Sequence, residues 1–293
     1  MSHNDICAQV YDLCARIGLH EDVIRLVLSY IDNGEYMIAE QHFNRLLSRE
    51  SSKESAEAIT NLWRNANGTL KDSGFGIMAA FLAVALHTRE KYNKRGIEID
   101  IFYHTMSCFK EAMDEAYALD GAWSFDGADW CRHHIAGDLY RLGTLEFEMA
   151  YLDQRNAGAC GLKEGEPVLS VHIQTGSDIS RHAVDESYRL AREFFPKYFP
   201  DFVCKWFYCS TWLLDPVLKE LLPEWSRILD FQSDYDVAFI IKEGDWYFPR
   251  IFNMKNKPAD CENLPENTSL RRAVKHHILQ GGTIGWALGL MNI

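Results

Sequence analysis

Three side chains with chemistry of their own fall near the ends of two apolar runs: His172 in Pro167–Ile173, and Cys209 and Ser210 in Phe202–Trp212. In the first run Val168, Ser170 and His172 alternate with Leu169, Val171 and Ile173, the period of a strand with two different faces. A histidine there is either a proton-transferring base or a strand residue satisfied by a neighbour. Cys209 is a nucleophile if a nearby base lowers its pKa, and a buried thiol otherwise. Both Cys209 and Ser210 stand at the end of their strand where a sheet faces its ligands.

Between the two runs lies Gln174-Thr175-Gly176-Ser177-Asp178-Ile179-Ser180-Arg181, which opens a helical stretch with Ala183, Val184, Ser187, Leu190, Ala191 and Phe194 on one face. A turn that leaves a strand and starts a helix aims backbone N–H groups, and the positive end of the helix dipole, at whatever anion sits there. The plain alternative is a capped helix, with Asp178 or Ser180 as the cap. Asp215 before Pro216 reads as another N-cap. Trp212 either lines a pocket or packs in the core, and Arg141 meets either an anion or Glu146.

Other constellations are weaker. His133-His134 and His276-His277 are adjacent on helices, so each pair points about 100° apart and chelates poorly. His134 and Asp138 share a face, but no third ligand follows at metal-site spacing. No G-x-S-x-G, Walker A or H-E-x-x-H occurs. The expectation is a protein without a metal.

Composition sets the frame. The 293 residues are 47% hydrophobic and 25% charged, an ordinary globular balance, and 13% aromatic with eight Trp. A formal charge of −12 disfavours nucleic acid and anionic membranes as partners. Eight Cys show no C-x-x-C, and the first residues lack the basic and apolar blocks of a signal peptide. Reduced thiols and a cytoplasmic location are expected.

Those residues need elements to position them. The first ~115 residues show one apolar stripe per helix, with Gly18 and Asn33-Gly34 at helix ends and an almost wholly apolar helix from Phe75. After Asp120 the texture changes. Leu142–Leu152 alternates as a strand, Asn156–Glu166 reads as a loop, and Pro216–Leu222 as a helix. Ala238–Ile241 and Trp246–Phe252 flank Gly244-Asp245 as a hairpin, Thr268 caps a helix, and Thr283–Asn292 is a last strand. The fold class expected is α+β: an all-helical N-terminal domain over 1–118, then a mixed α/β sheet domain over 119–293.

Several segments resemble a bacterial family that joins a helical N-terminal domain to a GNAT-like (N-acetyltransferase-like) C-terminal domain. They are LYRLGTLEFE (139–148), VLSVHIQTGSDIS (168–180), FFPKYFP (194–200), CSTWLLDPVLKELLP (209–223), ILDFQ (228–232) and LPENTSLRRAVKHHILQGG (264–282), with ALHTREKYNKRGI (85–97) at the end of the helical part. The resemblance implies an N-acyltransferase using acetyl-CoA or another acyl-CoA, by direct attack of an amine on the thioester. It implies that the backbone of Val171 and Ile173 holds pantetheine between two splayed strands. Gln174, Thr175, Gly176, Ser177, Ser180 and Arg181 then surround the pyrophosphate, with Trp212 near the ligand. His172, Ser210 and Cys209 are the candidate catalytic residues, and the helical domain walls the acceptor side. The family's turn is Gln/Arg-x-x-Gly-x-Gly/Ala; here Gln174 and Gly176 are followed by Ser177-Asp178, and Pro216–Leu222 lacks the Tyr that many GNAT enzymes use as an acid. A non-catalytic GNAT-like ligand-binding or interaction protein is the alternative, and a thiol enzyme built on Cys209 with His172 is a third.

Overall fold

A computed structural model describes residues 3–293; Met1 and Ser2, the start of the segment read as lacking a leader, lie outside the described residues. Two compact units divide the chain, Met1–Arg141 and Leu142–Ile293.

The first unit contains α1 (His3–Arg16), α2 (Glu21–Asp32), α3 (Glu40–Leu46), α4 (Ser52–Leu62), α5 (Phe75–Arg95), α6 (Ile99–Met106), α7 (Cys108–Asp120) and α8 (Ala128–Ala136). Every residue from Phe75 to Leu86 is buried, so α5 is apolar all round and must be enclosed by other helices. The helices α1, α2, α6 and α8 surround it. Gly76 is required there because a Cβ would sit inside the indole of Trp63. Gly18 and Gly34, at the ends of α1 and α2, take the left-handed backbone that helix C-termini favour. Thr88 of α5 donates to the Ile135 carbonyl at 2.7 Å, which ties α8 into this helical unit. The change from helical to mixed structure was expected at 118/119; the contacts of α8 carry the helical unit on to Arg141.

The sheet is built from β1 (Leu139–Leu142), β2 (Leu145–Tyr151), β3 (Pro167–His172), β4 (Trp206–Thr211), β5 (Asp236–Ile241) and β6 (Trp286–Asn292), in the order β1-β2-β3-β4-β6-β5. β3 and β4 are parallel, while the pairs β2/β3, β4/β6 and β5/β6 are antiparallel. The helices of this part are α9 (Gln154–Ala159), α10 (Arg181–Tyr198), α11 (Leu218–Leu221), α12 (Arg227–Gln232), α13 (Phe248–Phe252) and α14 (Ser269–Leu279). The α+β class is as expected.

One face of the sheet is covered by α10. Its Tyr188 ring lies 5.1 Å from Phe207 and 6.2 Å from Phe147, centroid to centroid, in edge and tilted geometries. Beyond the end of β4, a second core joins α11, α13 and α14 through Leu218, Phe248, Phe252 and Val274.

Three local expectations change. Leu142–Leu152 is two strands, because Gly143 and Thr144 turn the chain between β1 and β2; Ser187 of α10 approaches Gly143 too closely for any side chain there. Asn156–Glu166 begins inside the short helix α9, which Asp153 caps by accepting from the Asn156 N–H at 2.7 Å. Trp246–Phe252 is not a strand. Pro249 stands in the first turn of α13, and Phe248, Ile251 and Phe252 are drawn into the second core at helical spacing.

Candidate functional site

The central pair of strands separates at its C-terminal end. Register between β3 and β4 runs Leu169↔Phe207, Ser170↔Tyr208 and Val171↔Cys209, and stops. Both strands continue on their other sides: His172 pairs with Glu146, and Ser210 and Thr211 pair with Leu288 and Ala287. Past Val171 and Cys209 the facing edges therefore lack a ladder partner in each other. Backbone N–H and C=O groups in such a gap seek another partner, and an extended amide-bearing ligand is one.

The register also sorts the side chains. Cross-strand partners share a face, so Glu146, Glu148, Ser170, His172, Tyr208, Ser210 and Leu288 lie together on the face away from α10. There His172 Nε2 meets Glu148 Oε2 at 3.0 Å, with both side chains mostly shielded from solvent. Gln174 donates its amide to Glu146, which is completely buried. Trp286 donates its indole N–H to Ser210 Oγ at 2.6 Å. Burial pushes the Tyr208 phenol up to about 12, against an opposing hydrogen bond with Ser210, so it stays protonated at neutral pH. Close by is a cavity of about 200 Å³ lined by Arg155, Asn156, Ala159, Phe239, Ile241 and Leu288. Leu288 is the register partner of Ser210, so the cavity adjoins the splayed end of β4.

Cys209 and Val171 belong to the opposite face. Cys209 is fully buried, and burial drives its thiol far above its ordinary pKa, with Tyr235 hydrogen-bonded beside it. Tyr235 in turn meets Tyr188, hydroxyl to hydroxyl, at 2.8 Å. His172 and Cys209 are thus on different faces, and the structure does not bring them together as base and nucleophile.

The turn after β3 stands at the mouth of the gap. The Ser177 N–H donates to the Gln174 carbonyl at 3.1 Å, and Gly176 takes φ +83° with open space around it. Thr175 and Gly176 are exposed; Ile173, Gln174 and Ser177 are half-buried. Asp178 turns back on its own loop, accepting from the Ser180 N–H and the Ser180 hydroxyl, each at 2.9 Å. Those bonds, the backbone one first, hold its carboxyl below the usual range, and Arg227 at 3.2 Å adds to this. Ser180 is the extended N-cap residue of α10 but makes no side-chain cap bond, and the first turn carries no acidic residue. The leading N–H groups of α10 are therefore capped by neither expected residue and keep their affinity for an anion. The Arg181 guanidinium is committed elsewhere, to Asp234 at 2.8 Å and Asp185 at 2.5 Å.

Trp212 sits in a short 3-10 turn, half-buried against the second core. Asp215 is not the N-cap of α11, whose N-cap position is Val217; it accepts from the Val217 N–H at 3.0 Å in the turn before that helix, and it also accepts from Gly285 N–H at 2.5 Å, joining the end of β4 to the start of β6. Arg141 pairs with Glu111, at 2.6 Å, and with Ser107. Among the described residues no group of three His, Cys, Asp or Glu could hold a metal ion. The sequence reading missed Glu148, Glu146 and Tyr208. Glu146 and Glu148 lie on β2 and Tyr208 on β4, and only the register puts all three on one sheet face with His172 and Ser210.

Residues 139–291 match the GNAT-like C-terminal domain, and residues 8–137 match the N-acyltransferase N-terminal domain. The chain belongs to the family that carries this GNAT-like C-terminal domain. Its fold is similar to the crystal structure of an acyltransferase in complex with decanoyl-CoA and teicoplanin, at 24% identity and a TM-score of 0.77, covering 96% of this chain and 86% of that one. It is likewise similar to an acyltransferase in complex with decanoyl-CoA, at 22% identity and a TM-score of 0.77, with the same coverage. No curated protein matches the chain.

Proposed function

We propose that this protein is an acyl-CoA-dependent N-acyltransferase, transferring an acyl group directly from the thioester to an amine. The observation that carries the reading is the gap between β3 and β4, with the side-chain-uncapped N-terminus of α10 at its mouth. Pantetheine amides bond the strand edges at Val171–Ile173, and the pyrophosphate lies on the turn Gln174–Ser180 and the first amides of α10. Arg181 contributes its N–H there rather than its guanidinium.

His172 is the base. Glu148 orients the ring through Nε2, and the imidazole takes a proton from the incoming ammonium or from the amine as it attacks. The nitrogen–carbon bond forms, the carbon–sulfur bond breaks, and the thiolate takes a proton from the hydroxyls of Ser210 and Tyr208, which solvent restores. The balance is one proton lost by the amine and one gained by the thiol. Cys209 has no part in this chemistry. The apolar lining of the adjoining cavity, Ala159, Phe239, Ile241 and Leu288, suits an acyl chain, and relatives of this fold are bound to decanoyl-CoA.

Calorimetric titration tests the reading: decanoyl-CoA should bind at least about tenfold tighter than acetyl-CoA, given roughly 0.8 kcal/mol per buried methylene. Silence of both at millimolar concentration would end it. A non-catalytic binding protein is the second reading, favoured by Ser177 and Ile179 standing where the family's turn, counted from Gln174, carries glycine and then glycine or alanine, with the Asp178 carboxylate between them. It predicts binding without CoA release when a panel of primary amines is added.

A further inference from the structure

Two short segments from distant parts of the chain converge on the Gln174–Ser180 turn. Arg227, at the start of α12, reaches Asp178 at 3.2 Å, and Arg250 of α13 donates to the Thr175 hydroxyl at 2.8 Å. Each follows a solvent-facing tryptophan in sequence: Trp225 is 86% exposed two residues before Arg227, and Trp246 is 67% exposed four residues before Arg250. The folding role of these groups is small. An exposed ion pair contributes about 0–1 kcal/mol, and an indole in water contributes nothing to a core. In a chain of net charge −12, two guanidiniums gathered on one turn mark a local exception to the acidic surface.

We propose that Arg227 and Arg250, with the Trp225 ring, form the recognition site for the 3′-phosphoadenosine end of the acyl carrier. The inference rests on the acyl-CoA reading above and adds what that reading leaves open: the protein selects a nucleotide-bearing thioester over a bare phosphopantetheine arm such as a carrier protein presents. If the pyrophosphate occupies the turn amides, the next charge along the ligand is the 3′-phosphate. The guanidiniums that border the turn from outside, on Asp178 and Thr175, are the groups placed to meet it. A guanidinium gives a phosphate two parallel charge-assisted hydrogen bonds, and an exposed indole gives adenine a stacking face. The Asp178 contact keeps Arg227 ordered at the turn before ligand arrives.

Calorimetry with CoA, 3′-dephospho-CoA and pantetheine, on the wild type and on the Arg227→Gln/Arg250→Gln and Trp225→Ala variants, tests this. The wild type should bind CoA about tenfold tighter than dephospho-CoA, and the double arginine variant should bind both alike. Trp225→Ala should weaken both nucleotides by about fivefold to tenfold and leave pantetheine unchanged. All three positions are exposed, and unchanged circular dichroism would verify that the variants fold. Equal affinity of the wild type for CoA and dephospho-CoA, or a preference that survives in the double variant, overturns this inference alone. A wild type that binds none of the three overturns the acyl-CoA reading and this inference with it.

Discussion

His172 draws its proposed role from a residue 24 positions earlier in the chain. The Glu148 carboxylate meets the imidazole at Nε2 and so orients the ring. Two substitutions separate the parts. His172→Gln removes the base and should lower kcat by about 10²–10³-fold with little change in KM for decanoyl-CoA. Glu148→Gln keeps the imidazole but loosens it, and should lower kcat by about tenfold. Both are read from thiol release in the presence of a reactive primary amine. Equal activity of wild type and His172→Gln would remove the residue from the mechanism. Cys209 shows how far residue type alone carries an argument. Its position at a strand end admitted a nucleophile, and one strand face decided against it: the thiol is buried beside Tyr235, with His172 on the other side of the sheet.

At the scale of elements, strands were legible wherever one face is buried. In Pro167–Ile173, Leu169 and Val171 share the face where Tyr188 of α10 packs on their register partners Phe207 and Phe147, while Ser170 and His172 give the other face its polar character. The helix α5 was legible from its apolar run, and the Thr268 cap from its residue type: Thr268 accepts the Arg271 N–H at 3.1 Å. Trp246–Phe252 was not. A short aromatic run beside Gly-Asp has the same local appearance whether it continues a hairpin or starts a helix, and the second core, built from α11, α13 and α14, decided between them. The strand order was equally hidden, since β6 enters between β4 and β5 from the far end of the chain. The splay itself depends on this arrangement. β4 is held by β6 to its last residue, and Asp215 clamps the two where they leave the sheet. Asp215→Ala leaves the half-buried Val217 N–H and the buried Gly285 N–H without their acceptor, so a loss of about 2–4 kcal/mol is expected in urea unfolding of the sheet unit. A change below about 0.5 kcal/mol would show that the clamp does not hold the end of β4.

The molecule as a whole carries buried acids that ionise only at high pH. Burial pushes the Cys14 thiol up to about 12 in the helical unit, and the Cys204 thiol up to about 11 and the Tyr208 phenol up to about 12 in the sheet unit. Each of these groups has a folded pKa above its unfolded one. Its contribution is therefore complete below the unfolded pKa, about 8.5 for Cys and about 10 for Tyr, and is lost as pH rises through the folded value. Melting temperature should stay level from pH 7 to about 8.5 and fall steadily toward pH 12, with both units affected. A flat profile to pH 11 would contradict the burial of these groups. At the same scale, an acidic chain gathers helix amides and arginines from two other elements at the turn at the mouth of the β3/β4 gap, an arrangement suited to a polyanion.

That place gives the central claim its most direct test, amide hydrogen exchange on the whole chain with and without decanoyl-CoA. Slowed exchange is expected in two segments, residues 172–184 across the strand end, turn and first turn of α10, and residues 209–213 at the splayed end of β4, with little change elsewhere in the sheet. Protection confined to other segments, or no protection at saturating ligand, would contradict an acyl carrier bound between these strands.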